Sequence, residues 1–196
     1  MLPVDEALAR GRAFRLCLLL TLAVCPAAGA HADAWPARVS YVVDGDSLWV
    51  RPVDADGAAT GPRARLRLVD IDAPEICQSG GLQARDALRA LVQGRLVQVA
   101  VRARDRYGRA LAVVTRADDQ VDVAAELVRQ GLAWSDDFGW RRSPYAALSD
   151  DARDGHRGLF ADAVAQRPAD FRRRHGPCPA PEAGRASHAR KEPEFP

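Results

Sequence analysis

The segment RLRLVDIDAPE occupies residues 65–75. Its first four residues alternate arginine with leucine. This predicts a β-strand with leucines on one face and arginines on the other, since side chains along a strand point alternately to opposite faces. A polar turn follows the alternation, and Pro74 restricts the backbone of that turn just before Glu75. The segment therefore predicts a strand that leads into a stiff turn bearing acidic side chains.

Further strands are indicated on both sides of this segment. Residues 37–43 and 47–52 are short runs rich in Val, Tyr and Trp, and the Asp-Gly-Asp sequence between them is typical of a tight hairpin turn. Two more runs, at residues 96–101 and 111–115, complete a set of five strands. Apolar residues at helical spacing predict three helices. They cover residues 82–92, 121–130 and 145–154.

Five strands with about three helices predict an α+β fold. We expect a five-stranded OB-fold β-barrel with appended helices, because closing the sheet removes its exposed edges. The domain is expected at residues 33–165, followed by a C-terminal extension at 166–196. From about residue 178 the extension is dominated by Pro, Ala, Arg and Glu without periodicity, which predicts disorder.

The first 32 residues have the features of a secretory signal peptide. Arginines precede the apolar run LCLLLTLAV at residues 16–24, and Ala30-His31-Ala32 is typical of a cleavage site. The apolar run is shorter than the roughly 20 residues needed to span a bilayer. We therefore expect cleavage after Ala32, a secreted or periplasmic protein, and no attachment to a membrane once the signal is removed.

Two cysteines, Cys77 and Cys178, lie outside this signal. An even pair of cysteines in an oxidising compartment predicts a disulfide, and two unpaired thiols are the alternative. The four histidines of the chain have no spacing typical of a metal site.

The charge of the chain is nearly balanced, with 28 basic and 26 acidic residues. A general polyanion-binding protein is therefore not indicated. All but one of the basic residues are arginines, whose planar guanidinium groups suit phosphate. Any binding of nucleic acid would depend on a local cluster of these arginines.

Acidic and arginine side chains near strand ends are the candidates for chemistry. Asp46, Asp72 and Glu75 carry hard oxygen donors suited to a cation such as Ca²⁺. Arg67 and Arg109 are fork-shaped donors suited to a phosphate. With no histidine near these segments, Glu75 is the leading candidate for a general base. Taken alone, each segment has an ordinary structural interpretation as a hairpin turn, a solvated strand face or the start of a helix.

In order and spacing, several segments of the chain resemble the staphylococcal nuclease family. They are VDGDS at residues 43–47, RLVDIDAPE at 67–75, DRYGRALA at 105–112 and ELVRQGLA at 126–133. The resemblance extends over roughly residues 37–160. It implies an OB-fold barrel and a calcium-dependent endonuclease that hydrolyses the phosphodiester bonds of DNA and RNA.

The resemblance also implies roles for individual residues. The implied metal ligands are Asp46, Asp72 and Ala73, the implied catalytic residues are Arg67, Glu75 and Arg109, and the implied substrate-binding residue is Tyr107. Ala73 would bind the ion through its backbone carbonyl, so its lack of a side-chain oxygen does not disrupt the site. The loop after Glu75 departs from the family prototype, because it is short and carries Cys77. The later pocket tyrosines have no clear equivalents, and Phe138 or Trp140 would have to supply a stacking surface.

Two other functions are compatible with this fold class. A non-catalytic OB-fold module that binds nucleic acid would share the barrel, but it would have no reason to retain the full set of acidic and arginine residues. A protein that acts chiefly through contacts in the cell envelope is the second alternative. No feature of the sequence demands an oligomer, so a monomer is expected.

Overall fold

A closed five-stranded barrel forms the core of the molecule in our computed structural model, which describes residues 34–137 and 140–178. Its strands are β1 (Ala34–Val42), β2 (Ser47–Pro52), β3 (Ala64–Leu68), β5 (Leu96–Arg104) and β6 (Ala110–Arg116). They lie in the order β1-β2-β3-β6-β5. Neighbouring strands are antiparallel except β3 and β6, which are parallel.

The alternation of side chains along the strands separates the barrel interior from its outer face. Leu66 and Leu68 of β3 are buried, and Leu66 lies opposite the equally buried Leu48 of β2. Arg65 and Arg67 point to the other side of the same strand. Burying these leucines favours the fold by about 1.5–3 kcal/mol for each side chain, and it fixes the register, since a slip of one residue would bury the arginines instead.

Four α-helices surround the barrel in the described parts of the chain. They are α1 (Gly81–Val92), α2 (Val123–Arg129), α3 (Ala146–Asp154) and α4 (Pro168–His175). The buried face of α1 carries Ala84, Leu88 and Val92, spaced four residues apart as one side of a helix requires. Asp122 caps the N-terminus of helix α2, because its side chain accepts a hydrogen bond from the Ala125 N–H.

A second, two-stranded sheet holds the turn that follows β3. Strand β4 (Ile71–Asp72) pairs antiparallel with β7 (Trp134–Ser135). Trp134 also packs edge-on against Phe160, which belongs to the 3₁₀ turn Gly158–Ala161. This small sheet and its apolar cluster fix the backbone of the acidic segment at the end of the barrel.

The α+β barrel predicted from the sequence is confirmed, with the five strands and three helices near their expected positions. The sequence did not predict α4, the β4–β7 sheet or the 3₁₀ turn. The predicted signal peptide lies outside the described residues, as does the tail beyond residue 178. Among the residues that the structure describes, no helix is long and apolar enough to cross a membrane.

Candidate active site

A cleft of about 360 Å³ lies where the β1–β2 turn, the end of β3 and the β5–β6 hairpin meet α4. Six of the predicted site residues line it: Asp46, Arg67, Ala73, Glu75, Tyr107 and Arg109. Asp72, the seventh, contacts Arg67 directly. Residues separated by up to 63 positions in the sequence thus converge on one cleft, which also includes Arg172.

Arg67 bridges the two aspartates of the cleft. Its Nη1 donates to Asp46 Oδ1 and its Nη2 donates to Asp72 Oδ1, both at 2.8 Å. The strand register explains this position, because Arg67 of β3 pairs with Ser47, the residue after Asp46. Burial alone would lower the pKa of Arg67, but the carboxylates of Asp46 and Asp72 outweigh it and raise that pKa. Arg67 therefore stays charged and is held firmly in place.

Asp46 is almost fully buried in the wall of the cleft. Its Oδ1 accepts from the Ser47 hydroxyl at 2.9 Å, and its Oδ2 accepts from the Ala73 N–H at 3.2 Å. Burial raises the pKa of Asp46 to about 7 against the opposing effect of Arg67. The negative charge of this carboxylate is therefore incompletely compensated by its protein neighbours.

Gly45 allows the β1–β2 turn to approach α1 closely. A Cβ atom at this position would lie 2.7 Å from the Cβ atoms of both Ala73 and Ala84, which is too close for any side chain. The Asp-Gly-Asp turn is thus more than a hairpin connection. Its glycine lets the turn sit against α1 and the Ala73 segment, and this contact sets the position of Asp46.

Glu75 and Asp72 share a partner that the sequence did not predict. Arg172 of α4 donates from Nη1 to Glu75 Oε1 at 2.7 Å and to Asp72 Oδ1 at 3.1 Å, and from Nη2 to Asp72 Oδ2 at 3.0 Å. Burial alone would lower the pKa of Arg172, but its bonds to Asp72 and Glu75 outweigh burial and raise it. One signal in the sequence points toward this residue, namely the arginine run at residues 172–174 just before Cys178.

Helix α4 is fastened to the cleft by a covalent bond. Cys178, after the end of α4, forms the predicted disulfide with Cys77, with Cα atoms 5.7 Å apart. Beside it, the Gln78 amide donates to the Gln166 carbonyl at 2.6 Å. These contacts bring Arg172 to the carboxylates, because Cys77 lies two residues after Glu75.

Arg109 and Tyr107 lie on the hairpin between β5 and β6. Asp105 organises this hairpin: its Oδ1 accepts the N–H groups of Tyr107 and Arg109 at 2.9 Å, and its Oδ2 accepts Arg109 Nε at 2.6 Å. The guanidinium carbon of Arg109 lies 5.6 Å from the centre of the Tyr107 ring. Within the described residues, the two Nη groups of Arg109 have no hydrogen-bond partner, so they remain available to an anion. Tyr107 is largely exposed at the rim of the cleft.

Comparison with known proteins gives this cleft its context. The family model described as "Staphylococcal nuclease homologue" matches residues 65–162. The chain belongs to the staphylococcal nuclease family. It is 33% identical over 181 residues to "Micrococcal nuclease" of Shigella flexneri, which covers 87% of this chain and 96% of the relative. It is 40% identical over 126 residues to an "Uncharacterized endonuclease" of Escherichia coli O157:H7, covering 64% of this chain and 77% of the relative.

Membership of this family and the names of these relatives support a nuclease function, with nucleic acid as the substrate. A rice relative, "Probable staphylococcal-like nuclease CAN1", is 36% identical over 109 residues, which cover 56% of this chain and 32% of the relative. The names of these relatives specify neither a metal ion nor a kind of nucleic acid.

The donor set of the cleft fits a hard divalent cation. Asp46 and Asp72 supply carboxylate oxygens, and the buried charge of Asp46 is incompletely compensated. In the structure, guanidinium groups from Arg67 and Arg172 lie on these carboxylates. Across the described ranges, no three His, Cys, Asp or Glu side chains converge closely enough to bind a metal ion by themselves. A cation would therefore need additional oxygen from backbone or water, and it would compete with Arg172 for Asp72.

Of the two residues predicted to supply a stacking surface beside this cleft, only Trp140 belongs to the described part of the chain. Trp140 does not line the cleft and is 98% exposed. Phe138 lies outside the described residues.

Proposed function

We propose that this nuclease is a calcium-dependent endonuclease that hydrolyses both DNA and RNA. The observation that carries the proposal is that one cleft brings together two Nη groups of Arg109 without partners in the described chain and the neighbouring carboxylates of Asp46 and Asp72. The first group suits a phosphate and the second suits a cation. A phosphodiester substrate would engage both groups.

In this proposal the cation is held by Asp46, Asp72 and the backbone carbonyl of Ala73. A bound Ca²⁺ would supply positive charge next to the phosphate oxygens and thereby favour attack on phosphorus. Hard carboxylate and carbonyl oxygens suit an ion of this kind, and Ca²⁺ accepts irregular ligand geometry more readily than Mg²⁺ does. This preference is the reason to propose calcium.

Glu75 is proposed as the general base. Its Oε1 accepts a hydrogen bond from Arg172, whereas Oε2 has no hydrogen-bond partner within the described residues and is available to a water molecule. Glu75 would take a proton from that water as the water oxygen bonds to phosphorus. The P–O5′ bond then breaks, O5′ takes up a proton, and the phosphate remains on the 3′ side.

Arg67 and Arg109 are proposed to stabilise the negative charge that grows on the phosphate oxygens during this step. Arg109 has two Nη groups without partners in the described chain, so it can form a bidentate contact with phosphate. Arg67 is already bonded to both aspartates, which fixes its guanidinium beside the reacting group at no further entropic cost. Tyr107 is proposed to contact the nucleotide at the rim of the cleft.

We also propose that the nuclease is exported to the periplasm or the medium and acts as a monomer. The support for export is the N-terminal sequence pattern together with the Cys77–Cys178 disulfide, which suits an oxidising compartment. Cysteine pairing of this kind is rare in the cytosol.

A nuclease assay with and without the ion tests the proposal. The purified chain from Asp33 onward would be incubated with single-stranded DNA, double-stranded DNA and RNA, each in calcium and in excess chelator. We expect cleavage of all three in calcium, products that carry 3′-phosphates, and no cleavage in chelator. Full activity in chelator would contradict the role of the ion. Binding without cleavage in calcium would favour the non-catalytic OB-fold module instead.

A further inference from the structure

The arginines of β3 continue beyond the catalytic cleft along the outer face of the barrel. Arg65 lies two residues before Arg67 and therefore points to the same side of the strand. Across the sheet, Arg65 pairs with Trp49 of β2. On the other side, the pairing of Leu66 with Ala110 brings Arg65 next to Arg109. A row of residues thus runs from Arg109, just before β6, past Arg65 of β3 to Trp49 of β2.

This row forms part of a groove of about 790 Å³, more than twice the volume of the catalytic cleft. The groove and the cleft share Tyr107 and Arg109, so the two adjoin each other at the β5–β6 hairpin. The other charged or aromatic residues that line the groove are Trp35, Trp49, Arg63, Arg65 and Arg104. In the part of the chain that the structure describes, no acidic residue lines the groove.

Of the arginines that line the groove, only Arg109 has a carboxylate partner, Asp105, in the described parts of the chain. Neither Arg63 nor Arg65 has a carboxylate partner within residues 34–137 and 140–178. Arg104 donates to a backbone carbonyl, that of Gly108, at 3.2 Å. Arg63 instead lies over the Trp49 ring, with its guanidinium carbon 5.0 Å from the ring centre. This stacking covers one face of the Trp49 indole and leaves the guanidinium donors of Arg63 able to bind an anion.

We propose that this groove binds a single strand of nucleic acid next to the bond being cleaved. Unpaired bases stack on aromatic side chains such as Trp49, while phosphates contact neighbouring arginines. A solvated strand face is the ordinary role of alternating arginines. That role does not account for a groove that is lined by arginine and tryptophan and adjoins the catalytic cleft. The inference rests on the proposed nuclease function and extends its substrate contacts to several nucleotides.

The test compares a long with a short substrate. Steady-state cleavage in calcium is measured for a single-stranded oligonucleotide of about 16 residues, near the upper size of such sites, and for a dinucleotide that reaches only the cleft. The variants are Trp49→Ala, Trp49→Phe and the double variant Arg63→Ala/Arg65→Ala. The matched control is Arg89→Ala, an exposed arginine of α1 that does not line the groove.

For Trp49→Ala and the double variant, we expect KM for the long strand to rise about tenfold more than KM for the dinucleotide. Trp49→Phe should recover most of the affinity for the long strand, since the phenyl ring still stacks. Equal effects on the two substrates, or no effect on either, would overturn the proposal. If the variants impair a duplex as much as the single strand, the groove binds duplex and the single-strand assignment is wrong.

A measurement of binding in the absence of cleavage distinguishes the proposed groove from the proposed catalytic function. Fluorescence anisotropy of a labelled single strand is measured in excess chelator, where cleavage is not expected. The double variant should bind more weakly than the wild type, and the slope of its affinity against salt should fall by about 0.7 for each phosphate that the variant no longer binds. A wild type that binds but never cleaves would contradict only the proposed catalysis. Equal affinity and equal slope in wild type and double variant would contradict the groove.

Discussion

Arg109 and Arg67 differ in what their guanidinium groups are free to bind. Both Nη atoms of Arg67 are bonded to aspartates, whereas Arg109 uses its Nε in a bond to Asp105. We expect Arg109→Lys to reduce kcat by about 10²–10³-fold, the usual effect of removing one donor that stabilises the transition state. Lysine keeps the charge but cannot form the bidentate contact.

The measurement for Arg109→Lys is kcat and KM in calcium, together with binding of a non-hydrolysable nucleotide. Binding should change much less than kcat. The control is Arg174→Lys, on the last turn of α4 and outside the cleft. An increase in KM alone, with normal kcat, would mean that Arg109 binds the substrate without stabilising the transition state.

At the scale of single elements, helix α4 carries Arg172 into the cleft. Within the described chain, Arg172 is the only basic residue of the C-terminal extension that lines the cleft. Arg172 occupies both carboxylate oxygens of Asp72, so it competes with a cation for that side chain. We expect Arg172→Ala to tighten calcium binding by about two- to tenfold, roughly 0.4–1.4 kcal/mol, a modest effect because the side chain is partly exposed to solvent.

Isothermal titration of calcium into the substrate-free protein measures this effect directly. Arg173→Ala is the matched control, because Arg173 is exposed and its partner is Asp170 of the same helix. Weaker calcium binding by Arg172→Ala would show that Arg172 supports the carboxylates rather than competing for them.

A hydrogen bond between the starts of helices α2 and α3 can be tested separately. Asp122 caps α2 with one carboxylate oxygen and accepts the Tyr145 hydroxyl with the other at 2.8 Å. Burial, together with Asp122, raises the pKa of Tyr145 far above its ordinary value. Tyr145→Phe should lower the free energy of unfolding by about 0.5–1.5 kcal/mol in urea titrations. The exposed Tyr41→Phe is the control, and an equal decrease in both variants would contradict this role.

At the scale of the whole molecule, the disulfide joins positions 101 residues apart. On the chain-entropy model, a disulfide that closes a loop of about 100 residues stabilises the folded state by at most roughly 4.7 kcal/mol. We expect the double variant Cys77→Ser/Cys178→Ser to unfold at a lower urea concentration than the oxidised wild type, by an amount below this limit. Wild type measured in reductant should match the double variant. Identical midpoints for all three would show that the bond does not stabilise the fold.

The strands of the barrel could be predicted from the sequence because they depend on short-range patterns, whereas the grouping of residues in the cleft was implied by the resemblance to the staphylococcal nuclease family. Period-two alternation in residues 65–68 indicated which face Arg67 occupies, and the Asp-Gly-Asp turn indicated the hairpin that carries Asp46. Helix α4 could not be predicted in this way. Pro168 is its only buried residue, so it lacks an apolar stripe and is held by a disulfide and ion pairs. The β4–β7 sheet, two residues per strand, is too short for any periodicity.

Glu75 is proposed as the base of a metal-assisted hydrolysis, and the variant Glu75→Gln examines that role without changing the shape of the cleft. The glutamine keeps the size of the side chain and can still accept a hydrogen bond from Arg172, but it cannot take a proton from water. The measurement is the single-turnover rate of cleavage in saturating calcium, with Glu126→Gln on α2 as the control. We predict a rate about 10²–10⁴-fold below that of the wild type. A rate close to that of the wild type would contradict the assignment of Glu75 as the base.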